Sequence, residues 1–133
     1  MNLAKQQRGW GIWVISLLAI AFGLLTLKEG GAVLFGDGEA RVAAGNYVPF
    51  VLWFNFLAGF AYVVAGIGLW LQQRWAVLLA AGIATATALT FAALGVHILS
   101  GAPYELRTVI AMTLRTVIWI TITGVGYKAL RYR

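Results

Sequence analysis

Four apolar runs, residues 10–27, 47–71, 75–99 and 104–127, constrain this chain more than any other feature. Each is long enough to cross a hydrocarbon core of about 30 Å at about 1.5 Å per residue. Hydrocarbon offers no partners to backbone N–H and C=O groups, so segments of this length must be helices. The connections are short, which predicts an all-α polytopic membrane protein: an up-down bundle of four transmembrane helices, forming one domain over residues 1–133. Composition agrees. The chain is 62% apolar and only 11% charged, whereas soluble domains are about half apolar and about a quarter charged.

Charge orients the bundle. Glu29, Asp37, Glu39 and Glu105 all fall on one side of the implied membrane. Lys5, Arg8, Arg74, Lys128, Arg131 and Arg133 fall on the other, with no acid among them. Basic residues mark the cytoplasmic face, so both termini and the Gln72-Gln73-Arg74 turn are expected in the cytoplasm of a bacterial-type inner membrane. Tryptophans agree: Trp10, Trp13, Trp70 and Trp75 would lie at that interface, and Tyr47 and Tyr104 at the outer one. The net charge of +6 is accounted for by bases flanking apolar runs, where they meet lipid headgroups. The expected partner is the bilayer, not nucleic acid. Basic residues before the first run resemble a signal peptide, but no small-residue cleavage pattern precedes Lys28, so the run reads as a retained span.

Cysteine is absent. That excludes a disulfide framework, a thiolate metal site and the disulfide-exchange quinone reductases. His97 is the only histidine, so a bis-histidine haem would need a ligand from elsewhere.

Residues 28–46 read as an external loop, with Gly30-Gly31 and the turn Gly36-Asp37-Gly38-Glu39. The apolar stretch Ala32-Val33-Leu34-Phe35 between them is too short to span, and an ordered cap over the bundle is expected, with Asp37 and Glu39 on it. The acid spacing there is wrong for an EF-hand. Gly59, Gly66 and Gly68, and the series Ala84, Ala88 and Ala92, supply small surfaces for close helix approach. Thr85, Thr87 and Thr90 can return their hydroxyls to carbonyls of their own helix.

One charge lies inside a span: Arg115, about 16 Å below the outer interface marked by Tyr104. Asn55 lies at a similar depth, about 12 Å below Tyr47. Glu105, Thr108, Met112 and Arg115 fall at spacings that put them on one helical stripe, with Trp119 expected opposite and Met112 expected to pack. His97 and Glu105 emerge near the outer end and are expected to pair. The constellation predicts an outward-opening polar groove with His97 and Glu105 at its mouth and Asn55 and Arg115 at its floor. Tyr62 adds a hydroxyl or simply packs.

A guanidinium stays charged and offers planar donors, and in low dielectric it attracts an anion, a carbonyl or a quinone oxygen strongly. Histidine is a residue type that exchanges protons near neutral pH. Such a set can bind a small polar headgroup, serve a quinone or hold one metal weakly. A structural role for Arg115, hydrogen-bonded to Asn55 and helix carbonyls, stands beside these.

Arg8-Gly9 before the first span, and Phe22-Gly23-Leu24-Leu25 leading to Leu27-Lys28 at its outer end, together with size and four spans, resemble the DoxX-like four-helix membrane proteins. The resemblance implies a quinone-linked redox protein, since some members of that family are associated with oxidation of sulfur compounds. The small multidrug exporters resemble the chain in size but require a glutamate in the first span, where residues 10–27 hold no acid. Phe54-Asn55-Phe56 resembles the pairing in four-helix fluoride channels, whose Gly-Gly and arginine pattern is missing here. The sequence favours a small membrane subunit or binding protein over a self-sufficient enzyme. It is expected to belong to a larger membrane complex or a homo-oligomer. A quinone-linked redox protein, and then a small transporter or channel, are the alternatives.

Overall fold

The computed structural model describes residues 9–36 and 38–130, in five helices. These are α1 (Trp10–Phe35), α2 (Glu39–Ala44), α3 (Pro49–Trp70), α4 (Arg74–Leu99) and α5 (Leu106–Leu130). All but α2 are long and apolar enough to cross a membrane. The shortest of the four, α3, has 22 residues and so extends about 33 Å. The expected all-helical, four-span bundle is thus present.

The long helices form a closed ring in the order α1, α3, α4, α5, each against the next, with α5 returning to α1. Pairings alternate in direction. Gly66 meets Ser16 and Ile20, while Gly59 meets Gly23 and Leu27, so α1 and α3 run antiparallel. This is the most extensive of the four seams. Small residues on it recur every seventh position: Ser16, Gly23 and Gly30 on α1, and Gly59 and Gly66 on α3. A seven-residue period keeps one face of a helix turned to its partner along its length. The approach leaves no room for side chains. A methyl on Gly66 would lie 2.6 Å from Ile20 Cγ1 and 3.0 Å from the Ser16 carbonyl oxygen. In lipid, where apolar burial drives little association, this close backbone packing holds the pair together.

The α3–α4 and α4–α5 turns are made alike. In the first, Gln73 N donates to Gly68 O (2.9 Å) and Gln72 N to Leu69 O (2.9 Å). In the second, Ala102 N donates to His97 O (3.4 Å) and Gly101 N to Ile98 O (3.0 Å). Both are Schellman closures, which pair the last helical carbonyls and need a left-handed residue just past the cap. Gly101 supplies it at φ 86°, Gln72 at φ 59°.

The interior divides into two apolar clusters. The larger, toward the termini, contains Ile12, Ile15, Tyr62, Leu69, Ile83, Trp119 and Ile122. The smaller, toward the α2 end, contains Val48, Val51, Leu94 and Met112. Arg115 lies on α5 between Met112 and Trp119, so a polar layer separates the clusters. Trp119 is fully buried and stacks on Tyr62 with centroids 4.7 Å apart. It was expected opposite the Arg115 stripe. Four residues separate the two positions, which puts them on one helix face.

Two expectations about the segments are corrected. The first helix continues past Leu27 to Phe35, so residues 28–35 are helical and α1 carries Glu29. Gly30, buried against Phe56, is part of the α1–α3 seam instead of the external loop. Of Ala84, Ala88 and Ala92, only Ala84 is buried. The inner face of α4 is instead Ala76, Ala80, Ile83, Ala84, Thr87 and Leu94. The threonine expectation holds: Thr85, Thr87 and Thr90 donate to Ala81, Ile83 and Ala86 carbonyls at 2.9, 2.6 and 2.9 Å. Met112 packs in the smaller cluster, fully buried.

Candidate functional site

Arg115 reaches two other helices. Its Nη1 donates to Thr26 Oγ1 on α1 and to the Tyr62 hydroxyl on α3, each at 3.1 Å. The guanidinium carbon lies 4.8 Å from the Phe22 ring centroid and 5.8 Å from that of Tyr62. Two hydroxyl acceptors and two aromatic faces therefore offset part of the cost of holding this cation among helices. No carboxylate pairs with it among the described residues; the ion pair found there joins Arg107 and Glu105 at 3.6 Å.

The expected partner of Arg115 was Asn55. Tyr62 takes that place for a geometric reason. Side chains on a helix lean toward its N-terminus. The long Tyr62 ring, two turns further along α3, thus brings its hydroxyl back to the level of Arg115, while the short Asn55 side chain does not reach. Asn55 Oδ1 and Arg115 Nε are both buried without a hydrogen-bond partner. So is Trp119 Nε1, within the apolar cluster below.

Asn55 and Arg115 line one cavity of about 240 Å3 between α1, α3 and α5. Thr26, Glu29 and Gly30 contribute from α1, and Glu105, Thr108 and Ala111 from α5 and the residue before it. Val48, Val51 and Leu52 give it an apolar wall. Ala44 at the end of α2, and Tyr47 after it, line its outer end. Glu29 has no hydrogen-bond or ion-pair partner among the described residues.

The cap is tied down by polar contacts. Asn46 N–H donates to Glu105 Oε2 at 3.3 Å, and Arg107 Nη2 donates to Ala43 O at 3.0 Å. Arg41 donates to Val33 O through Nε (3.2 Å) and Nη2 (3.1 Å), and to Leu34 O at 3.2 Å. Those are the open carbonyls at the end of α1, where a cation is favoured. Gly45, at φ 68°, leaves room for the Glu105 carboxylate, which a methyl there would approach within 3.1–3.3 Å. The apolar stretch expected to cap the bundle is part of α1, and α2 with the following linker does the capping. Glu39 begins α2, away from the cavity lining. Asp37 lies outside the described residues.

His97 does not join this site. Its Nε2 lies 3.2 Å from Pro103 O, and its ring meets Phe50 edge-on at 5.8 Å. It closes the α4–α5 turn, forms no ion pair with Glu105 and does not line the cavity. The structure therefore brings together Asn55, Glu105 and Arg115 and leaves out His97. Among the described residues, no three His, Asp or Glu side chains gather as metal ligands.

Phe22, Thr26 and Glu29 were missed by sequence reasoning. The signal for them is the run Ser16, Gly23, Gly30, which fixes the face of α1 that meets α3. Thr26 falls between Gly23 and Gly30 on that face, and Phe22 and Glu29 flank it.

Fold and site define a small bundle of four membrane-spanning-length helices with a part-buried cation beside a cavity. No protein-family model matches the chain, and neither a curated protein nor a solved structure does.

Proposed function

We propose that this chain is a small integral membrane binding protein that holds a polar group of a small molecule against Arg115. The observation that carries the reading is a pair of unsatisfied atoms. Arg115 Nε, a donor, and Asn55 Oδ1, an acceptor, are both buried without partners, and both residues line the same cavity. An unpaired polar atom in an apolar interior costs about 1–3 kcal/mol, and a bound molecule with an acceptor oxygen and a donor would recover it. At about 240 Å3 the cavity is smaller than the roughly 300–1,000 Å3 of drug-sized sites, which favours a small solute or one headgroup. The charge distribution supports an orientation with both termini in the cytoplasm of an inner membrane and the cavity opening outward.

A second reading is a quinone site, as the DoxX-like resemblance implies. It is favoured by the Phe22 and Tyr62 rings beside the guanidinium, since a quinone carbonyl could accept from Arg115 with its ring among the aromatics.

Native mass spectrometry of the protein released from mild detergent tests both. The intact chain should carry a small adduct that Arg115→Met and Asn55→Leu lose. Ultraviolet absorbance that changes on borohydride reduction would identify the adduct as a quinone. An adduct pattern unchanged in Arg115→Met would remove this cavity as the binding site.

A further inference from the structure

The cavity contains two charges of opposite sign that do not meet. Arg115 is held at its inner end by Thr26 and Tyr62. Glu29 lies three residues beyond Thr26 on the same helix, about 4.5 Å further along its axis. Both line the cavity, yet they form no ion pair. The other carboxylate of the lining, Glu105, is already engaged by Asn46 N–H and Arg107. What remains open is one positive charge inside and one negative charge a helical turn nearer the cap.

From this we infer that the cavity selects a small zwitterion, an anionic oxygen group against Arg115 and an ammonium group against Glu29. The inference rests on the binding reading above and names its ligand class. A simple anion would gain from Arg115 and lose to Glu29, and a simple cation the reverse. A molecule carrying both charges a few bonds apart gains from each. Asn55 Oδ1 is available to accept a further N–H or O–H, and Val48, Val51 and Leu52 receive aliphatic carbon. The volume, about 240 Å3, equals roughly eight waters at about 30 Å3 each, which suits a group of this size. Two sources share the chemistry: a free amino acid, and the phosphoethanolamine headgroup of a bilayer lipid.

The test uses the full chain in detergent and in nanodiscs. In detergent, thermal stabilisation is measured with leucine and phosphoethanolamine against 4-methylpentanoate and ethyl phosphate, which lack the amine, and isoamylamine, which lacks the acid. In nanodiscs, retained phosphatidylethanolamine is compared with phosphatidylglycerol by native mass spectrometry. A preference of about tenfold for a zwitterion over its single-charge counterpart is expected, equivalent to one well-formed charge contact. Preference for leucine in detergent, with phosphatidylethanolamine retained no better than phosphatidylglycerol, identifies a free amino acid; preferential retention of phosphatidylethanolamine identifies a headgroup. Glu29→Gln should abolish the preference by weakening binding of the zwitterion and strengthening that of the amine-free acid, and Glu29→Asp should keep part of it. Equal binding of zwitterion and amine-free acid, unchanged by Glu29→Gln, would overturn this inference and leave the binding reading standing. Absence of binding in every arm, with Arg115→Met indistinguishable from the intact chain, would overturn both.

Discussion

The Tyr62 hydroxyl accepts a hydrogen bond from Arg115 Nη1 at 3.1 Å, joining the middle of α3 to the middle of α5 across the bundle. Its ring also stacks on Trp119, one turn further along α5. One fully buried side chain thus links the polar layer to the apolar cluster beneath it. Tyr62→Phe keeps the stack and removes the acceptor. A hydrogen bond between membrane helices averages about 0.6 kcal/mol, with a maximum near 1.7 kcal/mol. The expected loss is about 1 kcal/mol, read as a lower unfolding midpoint by circular dichroism in detergent, with near-native helix content.

Arg115→Leu separates a structural from a binding role. Removing a charge near a helix centre favours insertion by about 2.5–3.5 kcal/mol on translocon scales. Against this stand the two lost hydrogen bonds to Thr26 and Tyr62. We expect folding stability in detergent to be unchanged or higher and the bound species to be lost. A sharp fall in the unfolding midpoint would make the guanidinium a structural tie.

The α1–α3 seam predicts a contrast between glycines. Gly66→Leu places carbon where Ile20 and the Ser16 carbonyl already lie, and overpacking of this kind costs about 1–3 kcal/mol. Gly82, on α4, has nothing within 4 Å of an added methyl. Gly82→Ala should therefore be neutral or stabilising by up to about 1 kcal/mol through helix propensity. Thermal unfolding of the two variants in one detergent checks the difference.

The cap is held by few and exposed bonds, so it should open locally before the bundle does. Glu105→Gln weakens the tie to Arg107 and to the Asn46 N–H. Hydrogen exchange at residues 42–46 should accelerate several-fold, while exchange in the middle of α3 and α4 stays slow. Equal acceleration throughout would mean that Glu105 supports the whole fold.

Orientation is testable cleanly because the chain has no cysteine. Val42, 82% exposed on α2, and Gln73, in the α3–α4 turn, are at opposite ends of the bundle. With the termini in the cytoplasm, Val42→Cys should react with a membrane-impermeant maleimide in intact cells, and Gln73→Cys only after lysis. The reverse pattern would invert the membrane orientation.

Much of the architecture was legible in the residues. Hydropathy and segment length predicted four helices, and the local reach of a threonine hydroxyl predicted its return to the carbonyl one turn back. Arg115 and Asn55 were legible as cavity residues because helix rise places them at similar depths, and Glu105 because its spacing puts it on the Arg115 stripe. The end of α1 was misjudged at Leu27. Lys28, Glu29 and paired glycines look like a loop, but Gly30 is favoured in the helix by its contact with Phe56. Closeness in sequence suggests a His97–Glu105 pair, but the α4–α5 turn points the His97 ring nitrogen at the Pro103 carbonyl instead.

What the sequence determined alone was helical state, the number of long segments and the separation of acids from bases along the chain. These follow from apolar content and from the 1.5 Å rise, which act within a segment. The partners of Arg115 depended on how far α1, α3 and α5 are rotated and shifted against one another. That is set where glycines let α1 and α3 touch, and only the packed bundle shows that Thr26 and Tyr62, not Asn55, meet the guanidinium and that Glu29 shares its cavity.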